Sequence, residues 1–333
     1  MGTLKLRDME VTPGTKSFGG VTCGEWPDGS PVRVPVAVVN GKEPGPTVMV
    51  MAGVHGDEVV GTETVRKVAA ELDPTKMRGT FIGLPAANIV SYILNSRVNT
   101  LEDPFGWNDF WYLIPNAQRT GSLTERLACF VRDEVVPLCD YFIDLHSSAK
   151  GSTNYPRAIV AGDYVSLKPD VRKKVERLAQ VCGFEYVFKP KGSTWAGMYF
   201  APFNFIEETY GKAGIVLETG HAPTTEGVDI LVKGVRNILV DVGIINGKVE
   251  DAVKPTYLER LVAVRANRGG IWHPKVWIPY VAKEGDVLGH VTGLTDTVVE
   301  EVRAPASGIA IKAATSAAVA TGTRLFVLGI PYQ

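Results

Sequence analysis

Short apolar runs that end in glycine or polar residues recur along the first two thirds of the chain. One such run, residues 48–52, has the length of a buried strand and ends at Gly53. Residues 62–72 follow it with apolar side chains at helical spacing. Strands and helices alternate in this way to about Val242. The alternation predicts an α/β fold with a mixed, mostly parallel sheet and helices on both faces.

The pattern changes at about residue 249. From there to residue 333, short strands and glycine turns replace the helices, with a turn roughly every 8 to 12 residues. Residues 281–285 and 304–308 resemble the barrel-sandwich fold of biotinyl and lipoyl carrier domains, but the turn near Thr295 lacks the carrier lysine. We therefore predict two domains, residues 1–248 and 249–333. The second is a small all-β structural or lid domain without a prosthetic group.

Composition excludes several classes of partner. The 333 residues carry a net charge of −1, which gives no electrostatic reason to expect nucleic acid or an anionic membrane. The mean hydropathy is +0.05, and no apolar run approaches the ~20 residues of a membrane span. The four cysteines are scattered, as is typical of reduced thiols, and no targeting segment is evident at Met1. We expect a cytoplasmic protein, and its size is compatible with a homo-oligomer.

Candidate chemistry begins just beyond the first apolar run. His55 and Glu58 are three residues apart in a glycine-containing turn, so an imidazole and a carboxylate can converge on one point. Such a pair suits a divalent transition metal, above all zinc. A solvated loop histidine beside a glutamate at a helix start would give the same pattern. The metal hypothesis therefore needs a third ligand.

Two later apolar runs supply further polar groups. Residues 139–146 end in His146, which lies at the same rim of the sheet as His55 if both strands run in one direction. Two histidines and one glutamate leave an open position on zinc, as in catalytic sites. Residues 214–220 form a third run that carries Glu218. A carboxylate there can take a proton from a metal-activated water and return it.

These motifs resemble those of the succinylglutamate desuccinylase/aspartoacylase family, a branch of the zinc carboxypeptidase-like hydrolases. The resemblance covers the order of motifs across most of residues 45–245, and it rests on His55-Gly56-Asp57-Glu58, Asp144-Leu145-His146 and Leu217-Glu218-Thr219-Gly220. It implies a zinc carboxypeptidase-like fold in residues 1–248. It also implies one Zn²⁺ per chain, with His55, Glu58 and His146 as ligands and Glu218 as general base.

Two more residues match a family segment in which an arginine follows an asparagine. They are Asn88 and Arg97. The resemblance implies that Arg97 polarises the scissile carbonyl and that Asn88 belongs to the substrate site. An arginine in this position would stabilise the oxyanion as water adds to the carbonyl.

The chain departs from the family where a substrate carboxylate is held. Family members usually carry Asp-Leu-Asn-Arg, and the corresponding residues here are Asp109-Phe110-Trp111-Tyr112, without the Asn and Arg. Arg157 is a candidate replacement, although a surface arginine is the commoner outcome. Trp111 and Tyr112 belong to an aromatic cluster that favours a flat apolar or cationic substrate group. Packing of a long loop onto the domain explains the cluster equally well.

We therefore expect a zinc-dependent amidohydrolase that deacylates an N-acyl amino acid or N-acyl amine through a metal-activated water. Its partner would be this small N-acylated substrate. Two other hypotheses use the same residues. One is a zinc carboxypeptidase or esterase, and the other is a metal- or ligand-binding relative that has lost catalysis. Glu218 separates the enzymes from the binding protein, because binding alone has no use for a general base.

Overall fold

The computed structural model describes residues 2–102, 109–192, 202–222, 224–295 and 297–332, with the side chains in these ranges except those at 111, 202, 203 and 205. The strands of the first 250 residues are β1 (Leu4–Leu6), β2 (Met9–Val11), β3 (Thr15–Glu25), β4 (Pro31–Asn40), β5 (Glu43–Met51), β6 (Arg78–Leu84), β7 (Tyr141–Ser148), β8 (Ser152–Ile159), β9 (Tyr186–Phe188) and β10 (Ala213–His221). Those that follow are β11 (Thr256–Arg265), β12 (Gly270–Pro274), β13 (Tyr280–Ala282), β14 (Val287–Thr292), β15 (Val298–Arg303), β16 (Gly308–Ala314), β17 (Ala318–Val319) and β18 (Arg324–Pro331).

The α-helices are fewer than the strands in the described part of the chain. They are α1 (Val59–Glu71), α2 (Ile89–Ile93), α3 (Phe110–Leu113), α4 (Leu123–Phe130), α5 (Pro169–Val181), α6 (Pro202–Tyr210) and α7 (Val228–Asp241). The described helical segments also include a π-helical turn at Val131–Val135 and two short 3₁₀ helices at Pro74–Lys76 and Val136–Leu138. None of the described helices is long and apolar enough to cross a membrane.

Twelve strands form one continuous sheet. Its order is β13-β16-β18-β11-β9-β8-β10-β7-β5-β6-β4-β3, and β16 pairs in addition with β8. This last pairing closes β8, β9, β11, β18 and β16 into a ring of hydrogen-bonded strands, a small barrel. The remaining C-terminal strands form a four-stranded sheet in the order β15-β14-β12-β17. The C-terminal strands are thus divided between the large sheet and the small one.

The predicted fold class, a mostly parallel α/β sheet with helices on both faces, is wrong. The molecule is strand-rich, and its mixed sheet contains more antiparallel than parallel pairings, among them β3–β4, β4–β6, β8–β10 and those of the C-terminal strands. Apolar alternation predicts which faces of a strand are buried, but it does not specify the direction of the neighbouring strand. The antiparallel pairing of β3 with β4 and of β8 with β10 was therefore not predicted.

The strands at the centre of the sheet are buried on both sides. In β5, Met49 and Met51 belong to one apolar cluster, while Val48 and Val50 belong to the cluster on the opposite side. The three longest of the described helices, α1, α5 and α7, contribute to this second cluster. Burial on both sides fixes the register of β5 and β7, because a slip of one residue would exchange the two faces. The polar residues at the ends of these strands are therefore held in defined places.

Candidate active site

The loop that follows β5 carries the first two candidate ligands. Gly53 begins the loop with a φ of 64°, in the left-handed region that favours glycine. A Cβ at Gly56 would lie 1.9 Å from the carbonyl carbon of Ser91, so the loop packs directly on the backbone of α2. The N–H of Asn88 donates to the carbonyl of Gly53 at 3.0 Å. Backbone contacts thus hold this loop in one conformation.

The third candidate ligand comes from the neighbouring parallel strand. In the β5–β7 ladder, Met51 lies opposite Asp144. His146 follows two residues later on β7, and His55 follows the end of β5, so both histidines reach the same edge of the sheet. The centroids of their two rings are 5.1 Å apart. The convergence expected from parallel strands is therefore present in the structure.

Glu58 lies between the two histidines. Its Oε1 is 2.9 Å from Nδ1 of His55, and its Oε2 is 3.0 Å from Nδ1 of His146. Oε2 also accepts a hydrogen bond from the backbone N–H of Ser147 at 3.1 Å. All three side chains are buried, and one potential ligand atom from each lies within 4.8 Å of the others. These residues form a cluster that could hold a metal ion.

Carboxylates also face the far side of each imidazole. Nε2 of His55 is 3.3 Å from Asp109, and Nε2 of His146 is 3.2 Å from Asp144. A carboxylate in this position keeps the ring proton on Nε2 and turns the lone pair of Nδ1 toward the centre of the cluster. Two lone pairs and the Glu58 carboxylate then meet at one point. These electron-rich groups repel one another unless a positive charge lies between them.

The shifts in the pKa values of the two histidines and of Glu58 also indicate that a positive charge is favoured in this cluster. Burial alone would lower the pKa of both imidazoles, but the neighbouring carboxylates outweigh it and raise the pKa of His55 and, further, that of His146. Burial would raise the pKa of Glu58, yet the two histidines hold it well below its usual range. Two imidazole nitrogens and one carboxylate are the donor set of open zinc sites. The residues present therefore fit a zinc ion.

Glu218 lies beside this cluster on β10. It is opposite His146 in the parallel ladder with β7 and opposite Arg157 in the antiparallel ladder with β8. Its Oε1 accepts a hydrogen bond from Nδ2 of Asn154 at 2.6 Å, and its Oε2 accepts one from Nη2 of Arg157 at 2.5 Å. The two contacts fix the orientation of the carboxylate at the edge where the histidines lie.

Arg97 approaches the cluster from the loop after α2. Its Nη1 donates to Oε1 of Glu58 at 3.3 Å, and its Nη2 donates to Oδ2 of Asp109 at 3.4 Å. The side chain remains 45% exposed. The guanidinium therefore sits at the border between the buried cluster and open space, where it can also contact a ligand.

These groups share one cavity with a volume of about 480 Å³. One part of its wall, here called the metal wall, includes His55, Glu58, Arg97, Tyr112, His146 and Glu218. The strands of the barrel contribute the other part, here called the barrel wall, which includes Arg157 of β8, Leu261, Ala263 and Arg265 of β11, Lys312 of β16, and Arg324 and Val327 of β18. Burial is the main cause that lowers the pKa of Lys312 to about 8. The cavity thus combines a candidate metal cluster with a wall that carries positive charge.

Comparison with known families agrees with this geometry. The family profile described as the succinylglutamate desuccinylase/aspartoacylase catalytic domain matches residues 44–240, more than half of the chain. The chain belongs to this family. The resemblance inferred from the sequence motifs is therefore confirmed, and the matched residues include the His-Glu-His cluster and Glu218.

Relatives of the family cover nearly the whole chain. The N-alpha-acetyl-L-2,4-diaminobutyric acid deacetylase of Halomonas elongata is 27% identical over 310 residues, which are 89% of this chain and 85% of that protein. A succinylglutamate desuccinylase/aspartoacylase structure from Rhodobacter sphaeroides has a TM-score of 0.80 at 23% identity and covers 96% of each chain. The product-bound ectoine utilization protein EutE (DoeB) from Ruegeria pomeroyi has a TM-score of 0.80 at 21% identity and covers 95% of each chain. At these identities, the two solved structures establish the shared fold.

The structure brings most, but not all, of the predicted family residues to the cavity. Asn88 is absent from the described lining. Its Oδ1 accepts a hydrogen bond from the backbone N–H of Ser91 at 3.3 Å, and its Nδ2 donates to the carbonyl of Val54 at 3.4 Å. It therefore caps α2 and supports the loop that carries His55. The side chain of Trp111 lies outside the described residues. The substrate roles of Asn88, Trp111, Tyr112 and Arg157 stay predictions.

Several residues at this candidate site could not be predicted from the sequence. Asp109 belongs to the motif that differs from the family, and Asn154 lies three residues before Arg157, but neither has a local pattern that predicts a role in the site. Lys312 and Arg324 belong to the C-terminal strands, which the sequence predicts to be structural or a lid. One signal was available: Lys312 interrupts the otherwise apolar strand β16. A lone cation in such a strand needs a polar environment, and here the cavity provides it.

Proposed function

We propose that this protein is a zinc-dependent amidohydrolase that removes the acyl group from a small N-acylated amino acid or amine. The observation that carries the proposal is the meeting of His55, Glu58, His146 and Glu218 in one cavity. The chain belongs to a family of deacylating hydrolases, which supports the same reaction class. An open cluster of two histidines and one glutamate beside a separate carboxylate matches the requirements of metal-assisted amide hydrolysis.

Each residue of the site has a distinct task in this proposal. His55, Glu58 and His146 would hold the zinc ion, and Asp109 and Asp144 would orient the two imidazoles. When bound, zinc supplies a Lewis acid that polarises a carbonyl group and lowers the pKa of water to about 7.

Glu218 is the proposed general base and general acid. Its carboxylate accepts the proton of the attacking water and later delivers it to the nitrogen of the leaving amine. Asn154 and Arg157 hold the two carboxylate oxygens in place for these transfers. A fixed orientation helps, because proton transfer requires hydrogen-bond reach to both the water and the leaving nitrogen.

Arg97 is the proposed partner of the carbonyl oxygen. Its contacts with Glu58 and Asp109 hold the guanidinium at the cavity, and its exposed part is free to turn toward a substrate. Hydrogen bonds from a guanidinium stabilise the negative charge that develops on the carbonyl oxygen when water adds. Arg97 would therefore contribute more in the transition state than in the ground state.

The cavity and the relatives support a small substrate. The volume of the cavity, about 480 Å³, lies in the range of small-molecule sites. The Halomonas relative is a deacetylase of an N-acetylated amino acid, and it covers 89% of this chain. We therefore propose an N-acyl amino acid as the first substrate class to examine, with an N-acyl amine as the alternative within the same reaction.

Replacement of Glu218 by Gln tests the proposed mechanism. The Glu218→Gln variant should keep one zinc per chain, because the side chain of Glu218 is hydrogen-bonded to Asn154 and Arg157 rather than to the cluster residues in the described part of the chain. Its kcat should fall by roughly 10²- to 10⁴-fold, the usual contribution of a general base. Elemental analysis measures the metal, and a hydrolysis assay measures the rate. The exposed Glu226 provides a matched control, so Glu226→Gln should behave as the wild type. Unchanged kcat in Glu218→Gln would contradict the mechanism.

A substrate panel separates the deacylase from the other enzyme hypothesis. The wild type should hydrolyse N-acetyl amino acids faster than dipeptides or simple esters. Release of C-terminal amino acids from dipeptides at the higher kcat/KM would instead indicate a carboxypeptidase. Hydrolysis of esters alone would indicate an esterase.

A further inference from the structure

A second pocket adjoins the strand that carries Glu218. Its volume is about 240 Å³, and its wall includes Asn154, Tyr155, His221, Ile230, Trp277 and Thr315. Within the described part of the chain, no residue lines both this pocket and the main cavity. We propose that this space, here called the side pocket, binds a small, flat, uncharged molecule with one N–H or O–H donor, and that the bound molecule slows hydrolysis through Asn154. The binding site is independent of the proposed function, whereas its effect on hydrolysis rests on that function.

Asn154 has one amide group between the two spaces. The residue is only 4% exposed, and its Nδ2 donates to Oε1 of Glu218 at 2.6 Å. Because an ionised carboxylate only accepts hydrogen bonds, this contact fixes which amide atom faces Glu218. The other atom, Oδ1, is buried without a hydrogen-bond partner among the described residues. A buried acceptor without a donor is costly. Asn154 lines the side pocket but not the main cavity, so a ligand in the side pocket can supply the missing donor.

The side pocket also has an apolar surface that faces solvent. Trp277 is 48% exposed and Ile230 is 41% exposed, and both belong to its wall. Its described wall contains no lysine, arginine or aspartate. The carboxylate of Glu226 is largely exposed at the edge, 3.8 Å from Nδ1 of His221, so we leave it out of the binding site. An apolar wall with one precisely placed polar atom is typical of sites for small uncharged ligands.

Close backbone packing forms the side pocket before a ligand binds. Gly220 has a φ of 71°, and a Cβ there would lie 2.2 Å from the carbonyl oxygen of Glu226. Gly227 has a φ of 94°, and its Cβ would lie 2.9 Å from Cγ2 of Thr219. The register of the β8–β10 ladder shifts between Glu218 and Gly220, as at a β-bulge. Such irregularities direct side chains next to active sites. The wall of the side pocket and the proposed general base therefore belong to one rigid segment.

Asn154 provides the link from the side pocket to hydrolysis. A donor that binds Oδ1 polarises the amide and strengthens the hydrogen bond from Nδ2 to Oε1 of Glu218, because bonds in a chain reinforce one another. A carboxylate oxygen that is held more strongly accepts the proton of the attacking water less readily. The ligand should therefore lower kcat. It should leave KM nearly unchanged, since the substrate binds in the main cavity.

Indole and 1-methylindole test the binding site. The two probes share one flat apolar body, but only indole has an N–H donor. Ligand-observed NMR with the zinc-loaded wild type should show that indole binds roughly 5- to 50-fold more tightly, the usual effect of one hydrogen bond to a buried acceptor. Trp277→Ala should weaken both probes by roughly tenfold, because it removes the aromatic surface. Asn154→Ala removes the acceptor, so the preference for indole should disappear.

Hydrolysis of an N-acetyl amino acid tests the link to Glu218. Saturating indole should lower the kcat of the wild type by roughly two- to fivefold, since cooperative strengthening of a hydrogen bond is modest. Trp277→Ala, compared with its own rate without indole, should lose this inhibition at the same indole concentration. Leu294→Ala changes an exposed apolar side chain outside both spaces, and it should bind indole and be inhibited like the wild type.

Each outcome decides one part of the proposal. Equal affinity for the two probes, failure of both to bind, or unchanged affinity in Trp277→Ala would overturn the binding site. A rise in KM at constant kcat would also overturn it, because indole would then compete in the main cavity. A preference for indole without any change in kcat would support the binding site and overturn the link to Glu218. If the wild type hydrolyses no N-acyl amino acid, the proposed function fails, and the affinities of the two probes still decide the binding site.

Discussion

The two walls of the cavity differ in how their charges are compensated. On the metal wall, each imidazole has a carboxylate on both sides, and Glu58 is engaged by both histidines. On the barrel wall, Lys312 and Arg324 have no carboxylate partner among the described residues, and Arg157 has one partner for three nitrogens. The metal wall therefore favours a cation, whereas the unpaired positive groups of the barrel wall favour an anion. We expect the metal wall to carry the chemistry of the proposed hydrolase.

The largest effect is expected when the metal wall is broken. His146→Ala removes one of three ligands, so zinc should be lost on dialysis and hydrolysis should fall to background. Elemental analysis and a rate assay measure both effects. His290→Ala, in the four-stranded C-terminal sheet, is the matched control and should retain zinc and activity. Full zinc occupancy in His146→Ala would contradict the ligand assignment.

A smaller effect is expected when only the orientation of a ligand is disturbed. Asp144→Asn keeps the size of the side chain but removes the negative charge that faces Nε2 of His146 at 3.2 Å. Groups of this kind typically change metal affinity by roughly 10- to 100-fold when they are replaced. Competition with a zinc chelator would measure this affinity. An unchanged affinity would show that Asp144 does not orient the imidazole.

The smallest effect concerns the pH dependence of the barrel wall. The pKa of Lys312 is lowered to about 8 by burial, and among its neighbours Arg157 and Arg324 lower it while Glu218 and Glu58 raise it. Its positive charge is therefore present below pH 8 and is lost as the pH rises through 8. The KM for an N-acyl amino acid should rise by roughly a few fold between pH 7 and pH 9.

Lys312→Arg isolates this effect, because a guanidinium stays charged throughout the range. The variant should show a flatter KM between pH 7 and pH 9, with the pH dependence of kcat unchanged. Parallel KM profiles in wild type and Lys312→Arg would rule out Lys312 as the titrating group.

Local patterns were sufficient to predict individual elements. Apolar spacing predicts a helix at residues 62–72, and the structure has α1 at Val59–Glu71. Closure of the barrel could not be predicted in this way. It depends on pairing between β8 and β16, which lie far apart in the sequence and carry no local signal for each other.

The same contrast between local patterns and pairing of distant strands explains which site residues could be predicted. His55, Glu58 and His146 could be predicted to meet because each lies at or just beyond the carboxyl end of a buried strand, and such ends share an edge in parallel strands. Lys312 reaches the cavity only because the barrel closes, so a local pattern could not place it there. Asn88 has a structural task that its spacing did not indicate, because its amide caps α2, and its substrate role stays a prediction.

Anomalous diffraction at the zinc absorption edge tests the central claim most directly. A crystal of the zinc-loaded protein should show a strong anomalous peak between Nδ1 of His55, the carboxylate of Glu58 and Nδ1 of His146, at roughly 2.0 to 2.2 Å from each. A crystal of zinc-loaded protein without a peak at this position, or with its strong peak at other residues, would contradict the account.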